Sequence, residues 1–354
     1  MLEFSQTWQQ AAVWLAGHMV TPAVQALGLR GLAGDPVEIA AALMIALAQL
    51  VIIAGLIRPL ETLIPAERWA DRRLTAADRT STLLMVLGLL PLFGYLVLLP
   101  LANALGLAAN AADGDGPAFG LKHWLPGLAQ YPLLAFAVYY VLYDLTYYWM
   151  HRAQHAIPWW WALHSMHHSQ RQVNCWTNDR GSWLDSTLQG FIFGALALVV
   201  GVEPAEFAGV ILVGELFENL SHANVRLGFG RVIEKLLVDP RFHRLHHMRV
   251  DPARPGLHNC NFGQVFSFWD ILFGTALYGE APRPTGVADP TVDADNQHGL
   301  LGMQWASLRR FWVAVRRPAG WQPGEVAFGP GFEPVPVDHD GHHEHLLAGT
   351  PSIE

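Results

Sequence analysis

Nine histidines fall between positions 151 and 247, in three clusters and one single. They read His151-x-x-x-His155, His164-x-x-His167-His168 and His243-x-x-His246-His247, with His222 alone between the second and third clusters. Spacings of three and four put side chains on one face of a helix, where they can converge on a common point. Neutral imidazole ligates zinc, copper and iron, and about eight or nine of them can hold two ions. A lone histidine is ordinarily a satisfied structural residue. Three clusters within this stretch do not fit that explanation. Protonated together they repel, and buried together without a metal they leave donors unpaired. The pattern therefore constrains this region to helices that converge on a two-metal, almost all-histidine site.

Hydrophobic residues make up 52% of the chain and charged residues only 15%, well below the usual share in a soluble protein. They fall in spans. Ile39 to Ile57 is uncharged and long enough to cross a bilayer. Ser81 to Ala112 carries no charge, and its Leu-rich first part supplies a second span. His123 to Tyr143 is a third uncharged run, with its membrane helix at Tyr131 to Met150. Ser186 to Val202 is a shorter fourth candidate, and Phe207 to Leu220 a fifth that contains Glu215 and Glu218. The expected fold is all-α, a polytopic membrane protein with about 4–5 membrane helices and a cytoplasmic, histidine-rich helical cap.

Basic residues near span ends set the orientation. The loop after the first span holds Arg58, Arg68, Arg72, Arg73 and Arg79, whereas the loop over about 103–130 holds only Lys122. The first loop is then cytoplasmic, and the third span delivers His151 to the cytoplasmic side. Gly201-Val202-Glu203-Pro204 reads as a turn between the fourth and fifth spans, returning His222 to that same side. Phe4 to Leu29 lacks a basic leader and reads as an interfacial or a membrane helix. Cys175 and Cys260 are the only cysteines, have no CxxC spacing, and are expected as free thiols. No dinucleotide fingerprint, phosphate loop or basic nucleic-acid patch is present.

Polar residues surround the clusters. Asp144, Tyr148, His151 and His155 form one helical stripe, with Asp144 two turns deeper than His151. A carboxylate there suits a role orienting a histidine, and a capped or water-paired structural role remains the alternative. Glu215, Glu218 and His222 make a similar stripe, as ligands or as their hydrogen-bond partners. Asn174 and Asn224 join Asp144 and Tyr148 as polar candidates around the site.

These residues resemble the fatty acid hydroxylase and sterol desaturase superfamily of integral-membrane enzymes. The boxes stand as Asp144 to His155, His164 to Ser169 and Asp239 to His247, with Asn219-Leu-Ser221-His222-Ala-Asn224 between the last two. Asn261-Phe262-Gly263, followed by Phe268-Trp269-Asp270 to Thr275, resembles the closing motif. The likeness covers roughly residues 40–280. It implies two iron ions held by the nine histidines, with zinc able to substitute in a purified sample, and O2 as co-substrate. The implied reaction is hydroxylation of an unactivated C–H bond of a lipid. A desaturase or demethylating oxidase uses the same boxes, and a membrane metal-binding protein is the non-enzyme alternative. Electrons are expected from an external donor such as a ferredoxin or a cytochrome b5-like protein, in a bacterial inner membrane. One departure is Arg226, where some relatives carry a further histidine; His258 is a possible substitute.

The expected domains are an N-terminal helix over 1–36, a membrane and histidine-box catalytic domain over 37–280, and a cytoplasmic extension over 281–354. The end of that extension, with His339, His342, His343 and His345, has the composition of a disordered tail. Within it Gln304 to Val315 is amphipathic, fit either to lie on lipid or to pack on the cap.

Overall fold

The computed structural model describes residues 2–28, 35–69, 71–89, 120–201, 204–251, 259–280 and 283–317. Most of the second expected span, His258 and the four histidines of the C-terminal tail lie outside these residues. The described chain is helical, with isolated bridges but no β-strand.

Helix α1 covers Leu2–Leu15, and α2 covers Pro36–Leu63. Asp35 starts α2 by accepting the amide of Val37 at 2.8 Å, with Pro36 in the first turn where its missing N–H costs nothing. The two helices are in contact, and Ala16 and Val20, just after α1, pack against Ala40 of α2. Helix α3 is Ala76–Leu84, α4 is Pro132–Ala156, and α5 is Pro158–His168. Ile157 between the last two is extended, as a residue before proline prefers, and this corner folds α5 back against α4. Next come α6, Trp183–Val200, and α7, Pro204–Ser221. Gly201, left-handed at φ 71°, ends α6. The short helices α8, Pro240–His246, and α9, Phe268–Leu272, precede α10, Leu300–Arg316.

Helix α4 is the hub: α5, α6 and α7 all pack on it, and α7 in turn contacts α2 and α8. Among the described residues, α2 and α6 are long and apolar enough to cross a membrane. Only 17% of the apolar window of each is buried, unlike a soluble core helix. Helices also form where the third and fifth spans are expected. The amphipathic segment at the C-terminal side is α10, and it packs on α5.

A buried ion pair ties the cap to α3. Arg180, fully buried, donates from Nη1 to Asp78 Oδ1 at 2.8 Å and from Nε to Met166 O at 3.1 Å. The other Asp78 oxygen accepts from Gln170, Asn174 and Thr177. Removing one partner of such a pair strands a charge in low dielectric, so Asp78→Ala is expected to lower stability by about 3–5 kcal/mol. Thermal or denaturant unfolding of the purified chain checks this, and a loss below about 1 kcal/mol contradicts it.

Candidate metal centre

All nine histidines of the sequence pattern are buried, and they converge. His151 and His155 come from α4, and His164, His167 and His168 from α5. His222 follows α7, and His243, His246 and His247 lie on α8 and its end. They fall into two four-histidine groups, His151/His155/His164/His168 and His167/His222/His243/His247, whose ligand nitrogens lie within 4.8 Å of one another. His246 joins His168 and His247 in a third, overlapping group that bridges the two.

The far ring nitrogens are anchored. His151 Nδ1 is 3.0 Å from Phe262 O, His167 Nδ1 3.2 Å from Arg180 O, and His222 Nδ1 2.7 Å from Glu218 O. His246 Nδ1 is 2.7 Å from Cys260 O, and His164 Nδ1 is 3.1 Å from Asp185 Oδ2. A carbonyl oxygen can only accept, so Nδ1 carries the proton in these rings and Nε2 presents a lone pair. His167 Nε2 and His222 Nε2 therefore face each other, lone pair to lone pair, at 3.1 Å. His243 Nε2 and His247 Nε2 stand 3.0 and 3.1 Å from the same His222 atom. His155 Nε2 and His168 Nε2 lie 3.0 Å apart in the other group. Buried His151 Nε2 and His164 Nε2 have no hydrogen-bond partner. The His167–His222 pair repels itself unless a cation sits between the nitrogens. Protons are poor candidates: burial first, then neighbouring histidines, hold His167, His168, His243 and His247 well below the ordinary histidine pKa. The donor set fits a metal ion of the nitrogen-preferring class, zinc or iron among them.

The closing segment explains how carbonyls reach the rings. Asn261 adopts φ 59°, its Nδ2 donates to Phe242 O and Leu277 O, and its Oδ1 accepts from Leu277 N. This aims the flanking carbonyls of Cys260 and Phe262 at His246 and His151. A Cβ at Gly263 would lie 2.6 Å from Phe266 O, so only glycine fits there. Asp270 accepts the amides of Phe262 and Gly263 at 2.7 and 2.8 Å.

Asp144 does not orient a histidine directly. It accepts from Val265 N, Phe266 N and Trp269 Nε1, at 2.9, 3.2 and 2.9 Å, and so clamps the segment that carries Phe262 O. Tyr148 O–H pairs with Thr275 Oγ1 at 2.8 Å, on the same segment. Asn174 belongs to the Asp78 network, and Asn224 exchanges hydrogen bonds with the Glu67 backbone. None of these four is in the ligand groups, nor are Glu215 and Glu218. The Glu218 side chain accepts from Tyr147 O–H, while Glu215 accepts from Asn178 Nδ2 at 2.7 Å. Arg226 is exposed and lines a separate cavity with Glu67 and Arg244, while Cys175 and Cys260 are free, buried thiols.

Sequence reasoning missed Asp185, which accepts from Gln154 Nε2 and Trp160 Nε1 at 2.8 Å as well as facing His164. It is the lone charged residue between Gly181 and Val202, which is the available signal. A cavity of about 270 Å³ touches both His164 and His167, one from each four-histidine group. Tyr143, Phe193, Gly194 and Ile211 give it an apolar part on α4, α6 and α7, and Asp179, Asp185, Glu215 and Glu218 a polar one.

The sequence pattern of the fatty acid hydroxylase family matches residues 136–275. The chain is similar to alkylglycerol monooxygenases, 29% identical to that of Homo sapiens and 32% to that of Danio rerio, over 52% of this chain and 42% of each relative. It is also 24% identical to a Delta(7)-sterol 5(6)-desaturase of Gibberella zeae, over 44% of each chain. The chain thus spans less than half the length of these relatives. No solved structure matches.

Metal binding competes with protons at these nitrogens. The folded site holds His167, His168, His243 and His247 below the unfolded value of about 6.5, so an acid shift charges the unfolded chain first. Bound metal and stability are both expected to be retained above about pH 6.5 and lost together as pH falls below it. Metal content after dialysis across this window checks the point; retention unchanged down to about pH 4 contradicts it.

Proposed function

We propose that this chain is a membrane-bound, two-iron oxygenase that hydroxylates an unactivated C–H bond of a lipid. The reading is carried by one observation, the facing Nε2 lone pairs of His167 and His222 in a nine-histidine cluster, beside a cavity partly walled by Tyr143, Phe193 and Ile211. The two four-histidine groups hold one iron each, with His246 between them; zinc is able to occupy the same nitrogens. Bound iron supplies O2 activation and attack on the C–H bond, with electrons from an external donor such as a ferredoxin or a cytochrome b5-like protein.

The residues of the chain do the rest. Phe262, Arg180, Glu218 and Cys260 carbonyls and the Asp185 carboxylate hold their histidines in the tautomer that leaves Nε2 free to ligate. Tyr143, Phe193 and Ile211 exclude water and position an apolar chain against His164 and His167. The cavity lies between α4, α6 and α7, so a substrate can enter from lipid beside α6. Arginines after the first span argue that the site faces the cytoplasm. The name of the relatives makes an alkylglycerol the first lipid to test. The sterol desaturase relative supports the second reading, removal of two hydrogens at the same site.

The test is reduction of the iron-loaded full chain, then exposure to oxygen-18 gas with alkylglycerols and extracted membrane lipids. A lipid alcohol carrying the label supports the hydroxylase. A new double bond without label supports the desaturase, and no oxygen consumption with iron retained overturns both. A Cβ at Gly194 meets open space on the cavity wall. Gly194→Phe is therefore expected to cut turnover at least about tenfold by displacing substrate, with iron content unchanged; equal turnover removes this cavity from the account.

A further inference from the structure

Helix α10 buries Met303, Gln304, Ser307 and Ala314 and packs on α5, the helix of His164, His167 and His168. A second apolar face is left over. Leu301, Trp305, Leu308, Trp312 and Val315 stand at i, i+4, i+7, i+11 and i+14, one continuous stripe. Leu301 is 72% exposed, Trp305 65% and Trp312 53%. A stripe of this size facing water is unfavourable and marks an interaction surface. Exposed Arg309 and Arg316 border it, and the Arg316 guanidinium lies 4.4 Å from the Trp312 ring centroid.

Two hydrogen bonds fix the level of this stripe. Gln304 Oε1 accepts Trp183 N at 2.8 Å, and Gln304 Nε2 donates to Gly181 O at 2.8 Å. Helix α10 is thereby fastened to the first residue of α6, one of the two described helices long and apolar enough to cross a membrane. Trp183, Leu184, Leu301, Trp305 and Leu308 line one shared groove. The stripe begins where the apolar surface of α6 begins. Tryptophan at the edge of the hydrocarbon, with arginine at the level of lipid phosphates, is the composition of a membrane interface.

We propose that α10 lies in the headgroup layer of the bilayer, its stripe against the acyl boundary, and so sets the depth of α5 and its histidines relative to the lipid. The occupant of the face is the lipid surface, because the helix it is fastened to already presents apolar side chains at the same level and the bordering charges are basic.

The test uses the full chain in vesicles of phosphatidylcholine and phosphatidylglycerol. Trp305→Cys and Leu308→Cys are each labelled with a fluorophore; native Cys175 and Cys260 are buried and free. Each variant is first shown to keep the wild-type unfolding midpoint. The expected result is strong quenching by lipids brominated near the acyl boundary and little by aqueous iodide. Quenching by iodide alone puts the stripe in water and overturns the proposal. Quenching by neither puts it under protein, a second copy or the rest of this chain, and overturns it as well. No arm depends on turnover, so failure here leaves the oxygenase reading standing.

Discussion

Everything around the centre depends on pinning one nitrogen of an imidazole so that the other has no proton to offer. Where Nδ1 faces a carbonyl, the ring is committed to Nε2 as a lone-pair donor. Doing this for both His167 and His222, and then setting their Nε2 atoms 3.1 Å apart, creates an arrangement that only a cation relieves. Burial removes the proton as an alternative cation, since it penalises the charged imidazolium.

That constraint explains features that otherwise look unrelated. The Arg180–Asp78 pair fixes the residue whose carbonyl takes His167. Asp144 and Asp270 clamp the closing segment whose carbonyls take His151 and His246. Asp185 stands in the first turn of a membrane-length helix and serves His164 directly. Buried carboxylates are costly, and here each is offset by several N–H donors. These four carboxylates, Asp78 included, each hold either a ring or the backbone that holds a ring.

The ligand geometry was legible in the sequence because helical spacing leaves little freedom. Once α4 and α5 are helices, i, i+4 and i, i+3 histidines must share faces, and Pro158 puts the corner between them. What touches Nδ1 was not legible, because most partners are backbone carbonyls, which every residue has. Asp144 illustrates the limit. Its stripe with His151 is real, yet its partners lie 121, 122 and 125 positions away, on a segment that helical periodicity cannot place. Arg226, read as a missing ligand, is exposed and lies outside the ligand groups. The membrane reading was legible in part. Helices α2 and α6 are apolar and little buried, whereas α4 spends its polar residues on the site and is correspondingly harder to identify by hydropathy.

The most direct measurement of this account is metal stoichiometry and ligand chemistry together: native mass spectrometry of the iron-loaded chain, with X-ray absorption at the iron edge. The account predicts two irons per chain, each in a shell dominated by imidazole nitrogen, falling to one iron or fewer in His222→Ala, whose Nε2 lies within 3.1 Å of three other histidines. A single iron in the wild-type chain, or a shell dominated by carboxylate oxygen, would contradict it.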